Sequence, residues 1–237
     1  MEKNDYIIYI LSHNSKDFTS LVFQSLKKQT NNLYVLENSD ILEESFSNEF
    51  TINLGIKNIN VGGFYDWIID KHKDDKNLFV GIFNNDIFNI SNNLIESSLK
   101  HFNKNTGIIH SSIIDDGCPY PVMFKIGENY REVYFIENIC PFYNVEILKK
   151  LHPSIPTHKY GWVDFISSNI SNSLGLKNII LDNTSISHMR SGVRKKMNSI
   201  NSSFDEYNKT ADYEWIKWIE KNDYLKKYTN KNYGFTV

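Results

Sequence analysis

Three short apolar runs, each closed by a polar turn and separated by stretches of helical periodicity, restrict this chain to an α/β fold built on an open sheet. Residues 6–11 (YIIYIL), 33–36 (LYVL) and 78–83 (LFVGIF) are continuously apolar rather than alternating, the pattern of strands covered on both faces. After the first run, Phe18, Leu21, Val22, Ser25 and Leu26 recur at helical spacing and predict an amphipathic helix over 16–29. Residues 50–54 predict another strand, and Phe64, Trp67, Ile68 and Lys71 mark one face of a helix over 64–73. The intervening Asn60-Val61-Gly62-Gly63 is expected to form a turn at which the backbone can approach another group closely. The strands lead into Ser12-His13-Asn14-Ser15, Glu37-Asn38-Ser39-Asp40 and Asn84-Asn85-Asp86. In open α/β sheets, ligands bind at such carboxyl ends.

Beyond residue 90 the regularity weakens. A helix is expected over 94–102, a strand over 107–114, short strands and loops over 115–143, and a helix over 145–151. Pro153 and Pro156 interrupt the chain before a helix over about 163–174, which Gly175 closes. Short strands follow at 179–181 and 185–188, and an aromatic-rich helix around 213–220. Without an internal repeat or a flexible linker, one domain over 1–200 with a C-terminal helical extension over 201–237 is expected.

At 41% hydrophobic residues, the 237-residue chain carries enough apolar material for a sizeable core. The formal net charge of −2, from 26 basic and 28 acidic residues, argues against a nucleic-acid partner, which requires a basic field. Cys118 and Cys140 lack metal-type spacing, so neither a disulfide framework nor a zinc site is expected. The charged residues 1–5 do not fit a signal peptide, and no apolar run approaches the ~18 residues of a membrane span. A cytoplasmic protein is the simplest expectation. Heavy use of Asn, Ile and Lys fits the coding bias of an AT-rich bacterial genome.

Seven segments, in order over residues 6–190, resemble the large inverting glycosyltransferase family with the GT-A fold, the family-two type. They are YIIYILSHNS, FTSLVFQSLKKQ (residues 18–29), LYVLENSD (33–40), Asn60-Val61-Gly62-Gly63, Phe83-Asn84-Asn85-Asp86, Gly161-Trp162-Val163-Asp164-Phe165 and Ile186-Ser187-His188. They are similar to that family's first strand and turn, first helix, "VVDNGS" segment, "N-x-G" turn, "LNNDV" form of the DxD motif, acidic catalytic segment and late metal-ligand histidine. The resemblance implies a mixed sheet flanked by helices, with a nucleotide-binding half over about 1–90 and an acceptor half over about 91–200. It departs from the family pattern at Glu37, where the family has a base-contacting Asp, and at Asn84, where it has the first Asp of DxD. It also departs at Asp164, which stands alone where a Glu-Asp pair is common.

The resemblance implies roles that the chemistry makes intelligible. Transfer from a nucleoside-diphosphate sugar builds negative charge on the leaving diphosphate, so a divalent cation or fixed positive groups must stabilise it. Asp86 and His188 are the expected ligands of Mn²⁺ or Mg²⁺. An acceptor hydroxyl needs a base, and Asp164 is expected in that role, although its helix N-terminal position would lower its pKa. Ser12, His13, Asn14, Glu37, Asn60, Asp66, Asn84 and Asn85 are the expected nucleotide-sugar contacts. Arg190 and Arg194 would close over the diphosphate, and Trp162 would wall the acceptor. Each position also has a plain structural explanation: turn and cap residues, a helix-end Asp, a part-buried His, a core Trp, a solvated basic run. The aromatic and basic segment 215–219 can touch a membrane surface or lipid-linked acceptor at the inner face of the membrane, pack on the body, or build a homo-oligomer.

The expected function is inverting sugar transfer to a bacterial surface glycan or its precursor, such as capsule or lipopolysaccharide. Two readings compete with it. A sugar-phosphate nucleotidyltransferase would carry a Gly-rich phosphate loop after the first strand, which Ser12-His13-Asn14-Ser15 lacks. A catalytically silent nucleotide-sugar or glycan-binding module would explain Asn84 and Glu37 but not Asp86, Asp164 and His188. The two-Rossmann GT-B architecture needs a longer chain.

Overall fold

The computed structural model describes residues 5–56, 59–114, 121–151 and 163–189. The first half runs β1 (Asp5–Ser12), α1 (Lys16–Lys27), β2 (Leu33–Glu37), β3 (Thr51–Asn53), α2 (Asn60–Lys71) and β4 (Leu78–Asn84). Then come β5 (Ile87–Phe88), α3 (Leu94–Leu99), β6 (Thr106–Ile113), β7 (Tyr130–Val133) and β8 (Phe142–Asn144). The described part ends with α4 (Val145–Leu151), α5 (Val163–Ser173) and β9 (Lys177–His188). The expected extension over 201–237, the expected helix around 213–220 and the segment 215–219 lie outside the described residues.

The strands form one mixed sheet in the order β3-β2-β1-β4-β8-β6-β9-β5, with β7 also paired to β9. β1 lies parallel to β2 and β4, while β8 runs antiparallel to both β4 and β6. Two reversals restore direction, so β6 and its parallel neighbour β9 point the same way as β1 and β4. The carboxyl ends of β1, β2, β4, β6 and β9 therefore emerge along one edge.

Packing explains why the central runs are apolar throughout. Ile8, Ile10, Leu36, Val80 and Phe83 are fully buried beneath Val22 and Leu26 of α1 and Phe64, Tyr65 and Ile68 of α2. Each such side chain contributes about 1.5–3 kcal/mol of burial. The buried stripe of α1 is Thr19, Val22 and Leu26, whereas Leu21, expected on that face, is 62% exposed. At the end of α5, Gly175 takes φ 71°, and both bonds of a Schellman cap are present: Leu176 N–H to the Ser171 carbonyl at 3.0 Å and Gly175 N–H to the Asn172 carbonyl at 3.1 Å.

Two expectations are corrected. Asn60-Val61-Gly62-Gly63 is the first turn of α2 rather than a loop, and the Gly63 N–H donates to the Ile59 carbonyl at 3.0 Å. Close packing accounts for the glycine, since a Cβ at residue 63 would stand 2.5 Å from the Cβ of Ile59. Gly63→Ala is therefore expected to cost about 1–3 kcal/mol in urea denaturation, because Ile59 must move. Residues 179–181 and 185–188 are not separate strands but parts of β9. The register steps from Ser111↔Leu181 to Ser112↔Ser185, and the excess residues bulge out. Ser111 and Ser112 hold the bulge through bonds to the Thr184 hydroxyl and carbonyl, both 2.8 Å.

Candidate active site

The ends of β1 and β2 are tied by side chains. Glu37 is 1% exposed and accepts from the Ser12 hydroxyl at 2.7 Å, the Phe46 N–H at 3.0 Å and the Ser39 hydroxyl. Ser12 also meets the Thr19 hydroxyl at 2.8 Å. Asn85 donates to that same Thr19 oxygen at 3.0 Å and to Ser15, pinning the end of β4 to the start of α1. Ser12, Glu37 and Asn85 thus form the floor of the edge; turned inward, they do not present themselves to a ligand. Two carboxylate oxygens serve three donors here, and Glu37→Gln replaces one oxygen by an N–H₂ that a serine hydroxyl must turn to accept. It is expected to cost about 2–4 kcal/mol, a fall of roughly 5–12 °C in melting temperature by calorimetry.

Beside this floor lie the part-exposed His13, the exposed Asp40 and the buried Asn14 and Asn38. Asn14 adopts φ 46°, a conformation Asn tolerates. From there its N–H reaches the Ser39 hydroxyl at 2.7 Å, its side-chain oxygen accepts from the Ile41 N–H at 3.1 Å, and its amide N–H₂ donates to the exposed Asp40. The His13 ring bonds the Asn38 carbonyl through Nδ1 at 2.6 Å. Asn38 in turn bridges to the approach to α2, donating to the Gly55 carbonyl at 2.8 Å and accepting from the Ile59 N–H at 2.9 Å. Sequence reasoning did not single out Asn38, Ser39 or Asp40, though they lie in the polar turn after β2. Asn60 opens α2 and Asp66 lies part-buried in its second turn.

At the end of β4, Asn84 is part-exposed, and Asp86 faces a residue 102 positions away. The Asp86 carboxylate lies 3.1 Å from His188 Nε2, with the side chains 13% and 11% exposed. Backbone pairing enforces this: β5 runs antiparallel to the end of β9, Ile87 opposes His188, and the Met189 N–H donates to the Asp86 carbonyl at 2.8 Å. Among the described residues, no group of three or more His, Cys, Asp or Glu is placed to hold a metal ion. The pair still fits one. Two ligands at right angles, each about 2.1 Å from a shared cation, stand about 3 Å apart. One carboxylate and one imidazole suit Mn²⁺ better than Mg²⁺.

Asp164 opens α5, which precedes β9 and therefore starts at this same edge. Loss of water pushes its carboxyl up to about 7; the Phe165 N–H, donating to Oδ1 at 2.9 Å, pulls it down, and neighbouring Glu137 adds to the rise. Burial thus overrides the helix-end lowering expected from the sequence. Glu137 and Asn138, not singled out from the sequence, lie next to Ile139, whose carbonyl accepts from the Asn84 N–H at 2.8 Å. No spacing signal connects residue 137 to residue 164; only the fold does. Trp162, Arg190 and Arg194 lie outside the described residues.

No protein-family model matches the sequence, and no curated protein matches it. Solved structures do. S. aureus TarS, residues 1–349, in complex with UDP-GlcNAc superposes with a TM-score of 0.55 at 15% identity, covering 79% of this chain and 61% of that one. The mannosyltransferase PcManGT from Pyrobaculum calidifontis, in complex with GDP-Man and Mn²⁺, gives 0.56 at 10% identity, covering 77% and 56%. GalNAc-T7 with UDP, GalNAc and Mn²⁺ gives 0.58 at 11% identity, covering 79% and 44%. The chain thus spans between 44% and 61% of these structures' lengths. At such identities the likeness is one of architecture: the chain has the GT-A glycosyltransferase fold.

Proposed function

We propose that this chain transfers a sugar from a nucleoside-diphosphate donor to an acceptor hydroxyl, with inversion, at the carboxyl edge of its sheet. The observation that carries the reading is the Asp86–His188 pair, 3.1 Å apart at the end of β4 on a GT-A fold. Neighbours of the same fold were solved with GDP-Man and Mn²⁺ or with UDP-GlcNAc, which supports a nucleotide-sugar donor. A divalent cation, Mn²⁺ or Mg²⁺, held by Asp86 and His188 would offset the charge that grows on the leaving diphosphate. His13, Asn14, Asn60, Asp66 and Asn84 take the nucleotide, and Ser12, Glu37 and Asn85 position them from below. Arg190, Arg194 and Trp162 keep their proposed places around the diphosphate and the acceptor.

In the reaction, the acceptor oxygen forms a bond to the anomeric carbon as the bond from that carbon to the diphosphate breaks. The hydroxyl proton passes to Asp164. A carboxyl poised near 7 is a far better proton acceptor than an ordinary surface Asp, and this feature favours an enzyme over a silent binding module. The proposed acceptor is a bacterial surface glycan or its lipid-linked precursor, with the segment 215–219 as the proposed membrane contact. No helix among the described residues is long and apolar enough to cross a membrane. The test is metal-dependent release of nucleoside diphosphate from a panel of UDP-, GDP- and dTDP-linked sugars. Turnover of at least one donor is expected with Mn²⁺ and not with chelator; turnover of none, in a protein that binds the donors, would leave only the binding-module reading.

A further inference from the structure

Asn138 has its amide oriented by two buried phenols. The hydroxyls of Tyr65, from α2, and Tyr143, from β8, both reach its Oδ1, the latter at 3.1 Å. The two hydroxyls also lie 3.4 Å from each other. Both tyrosines are essentially inaccessible, at 0% and 1% exposure, and burial pushes both phenols up, so each remains a protonated donor. With both hydroxyls donating, the amide oxygen sits at this end. The N–H₂ end must then point the other way. Asn138 is part-exposed, and Nδ2 bonds no protein group among the described residues.

Asn138 stands beside the proposed site. Asn138 adjoins Ile139, which is bonded to Asn84, two residues before Asp86. Asp164 is close enough for its charge to act on both tyrosines, and Glu137 acts on Asp164. Two carboxyls in this corner disfavour a phosphate. A neutral partner rich in lone pairs suits a fixed amide N–H₂, and a sugar hydroxyl is such a group. We infer that Asn138, held in orientation by Tyr65 and Tyr143, donates to a hydroxyl of the donor's sugar and so selects among nucleotide sugars. This inference rests on the proposed sugar transfer.

The test separates the sugar from the nucleotide. Asn138→Asp keeps an oxygen for both phenols but has no N–H to offer outward. UDP, GDP and dTDP, and hexoses linked to each, are titrated in the presence of Mn²⁺ into wild type, N138D and Y65F. Expected for N138D is unchanged affinity for the matching diphosphate and a loss of about 5- to 20-fold for its sugar form. For Y65F, whose amide is less constrained, a smaller loss of the same kind is expected. If N138D does not fold, N138A is read by the same ratio of sugar form to diphosphate. Equal weakening of both forms, or no weakening of the sugar form, overturns the inference. Failure of every diphosphate to bind wild type instead removes the reading beneath it.

Discussion

Replacing Asp164 with Asn is expected to slow sugar transfer by about 10²–10⁴ and, at pH 8, to make the protein more stable. The two effects share one cause. Burial holds the folded carboxyl near 7 against an ordinary value of 3.8, so the folded state binds this proton more tightly than the unfolded chain. Below the unfolded value both states are protonated and nothing is lost. Between about 4 and 7 the unfolded chain releases the proton first, and stability falls with rising pH; above 7 the full cost is present. That difference corresponds to a ceiling of about 4 kcal/mol, and because Asp164 is only part-buried, the expected gain of D164N at pH 8 is about 1–3 kcal/mol. An Asn oxygen still accepts from the Phe165 N–H, so the local geometry persists. Calorimetry should show a raised melting temperature at pH 8 and no gain at pH 4. Wild-type turnover should climb about tenfold per unit below pH 7 and level off above it. A variant that loses both activity and stability at pH 8 would mark Asp164 as a structural residue.

Asp86→Ala and His188→Ala are each expected to remove the Mn²⁺-dependent part of nucleoside-diphosphate binding, a loss of at least about 100-fold. The contacts made by the ends of β1 and β2 do not pass through these side chains, so the residual affinity without metal should match that of wild type. Because the two groups are 3.1 Å apart and are proposed to hold one cation, their losses should not add: the double variant should bind no more weakly than either single one. Titration with and without Mn²⁺ measures all three. Additive losses would mean that Asp86 and His188 act on separate ligands.

The frame of the fold was readable because it rests on local patterns. Continuous apolar runs over 6–11, 33–36 and 78–83 have the pattern of covered strands, and they are β1, β2 and β4 of a parallel layer. Asp86 and His188 could be named together through the resemblance, but their 3.1 Å separation depends on β5 pairing with β9 across about a hundred residues, which no local pattern encodes. The sense in which Glu37 points was not readable either. A Glu after a strand can face solvent or the sheet, and the deciding donors, Ser12, Ser39 and the Phe46 N–H, come from three separate stretches of chain. Gly62-Gly63 misled in the other direction: paired glycines signal a turn by propensity, yet here one of them lets Ile59 pack against a helix. Asn138 carried no signal at all, since its orientation comes from two tyrosines that lie 73 and 5 positions away.

Melting the protein with UDP, GDP, dTDP and CMP, each with and without Mn²⁺, reads nucleotide binding and its metal dependence together. At least one diphosphate is expected to raise the melting temperature with Mn²⁺, with the rise largely lost without it and absent in Asp86→Ala. No shift from any of the nucleotides, with or without the metal, would contradict the assignment of this edge as a nucleotide-sugar site.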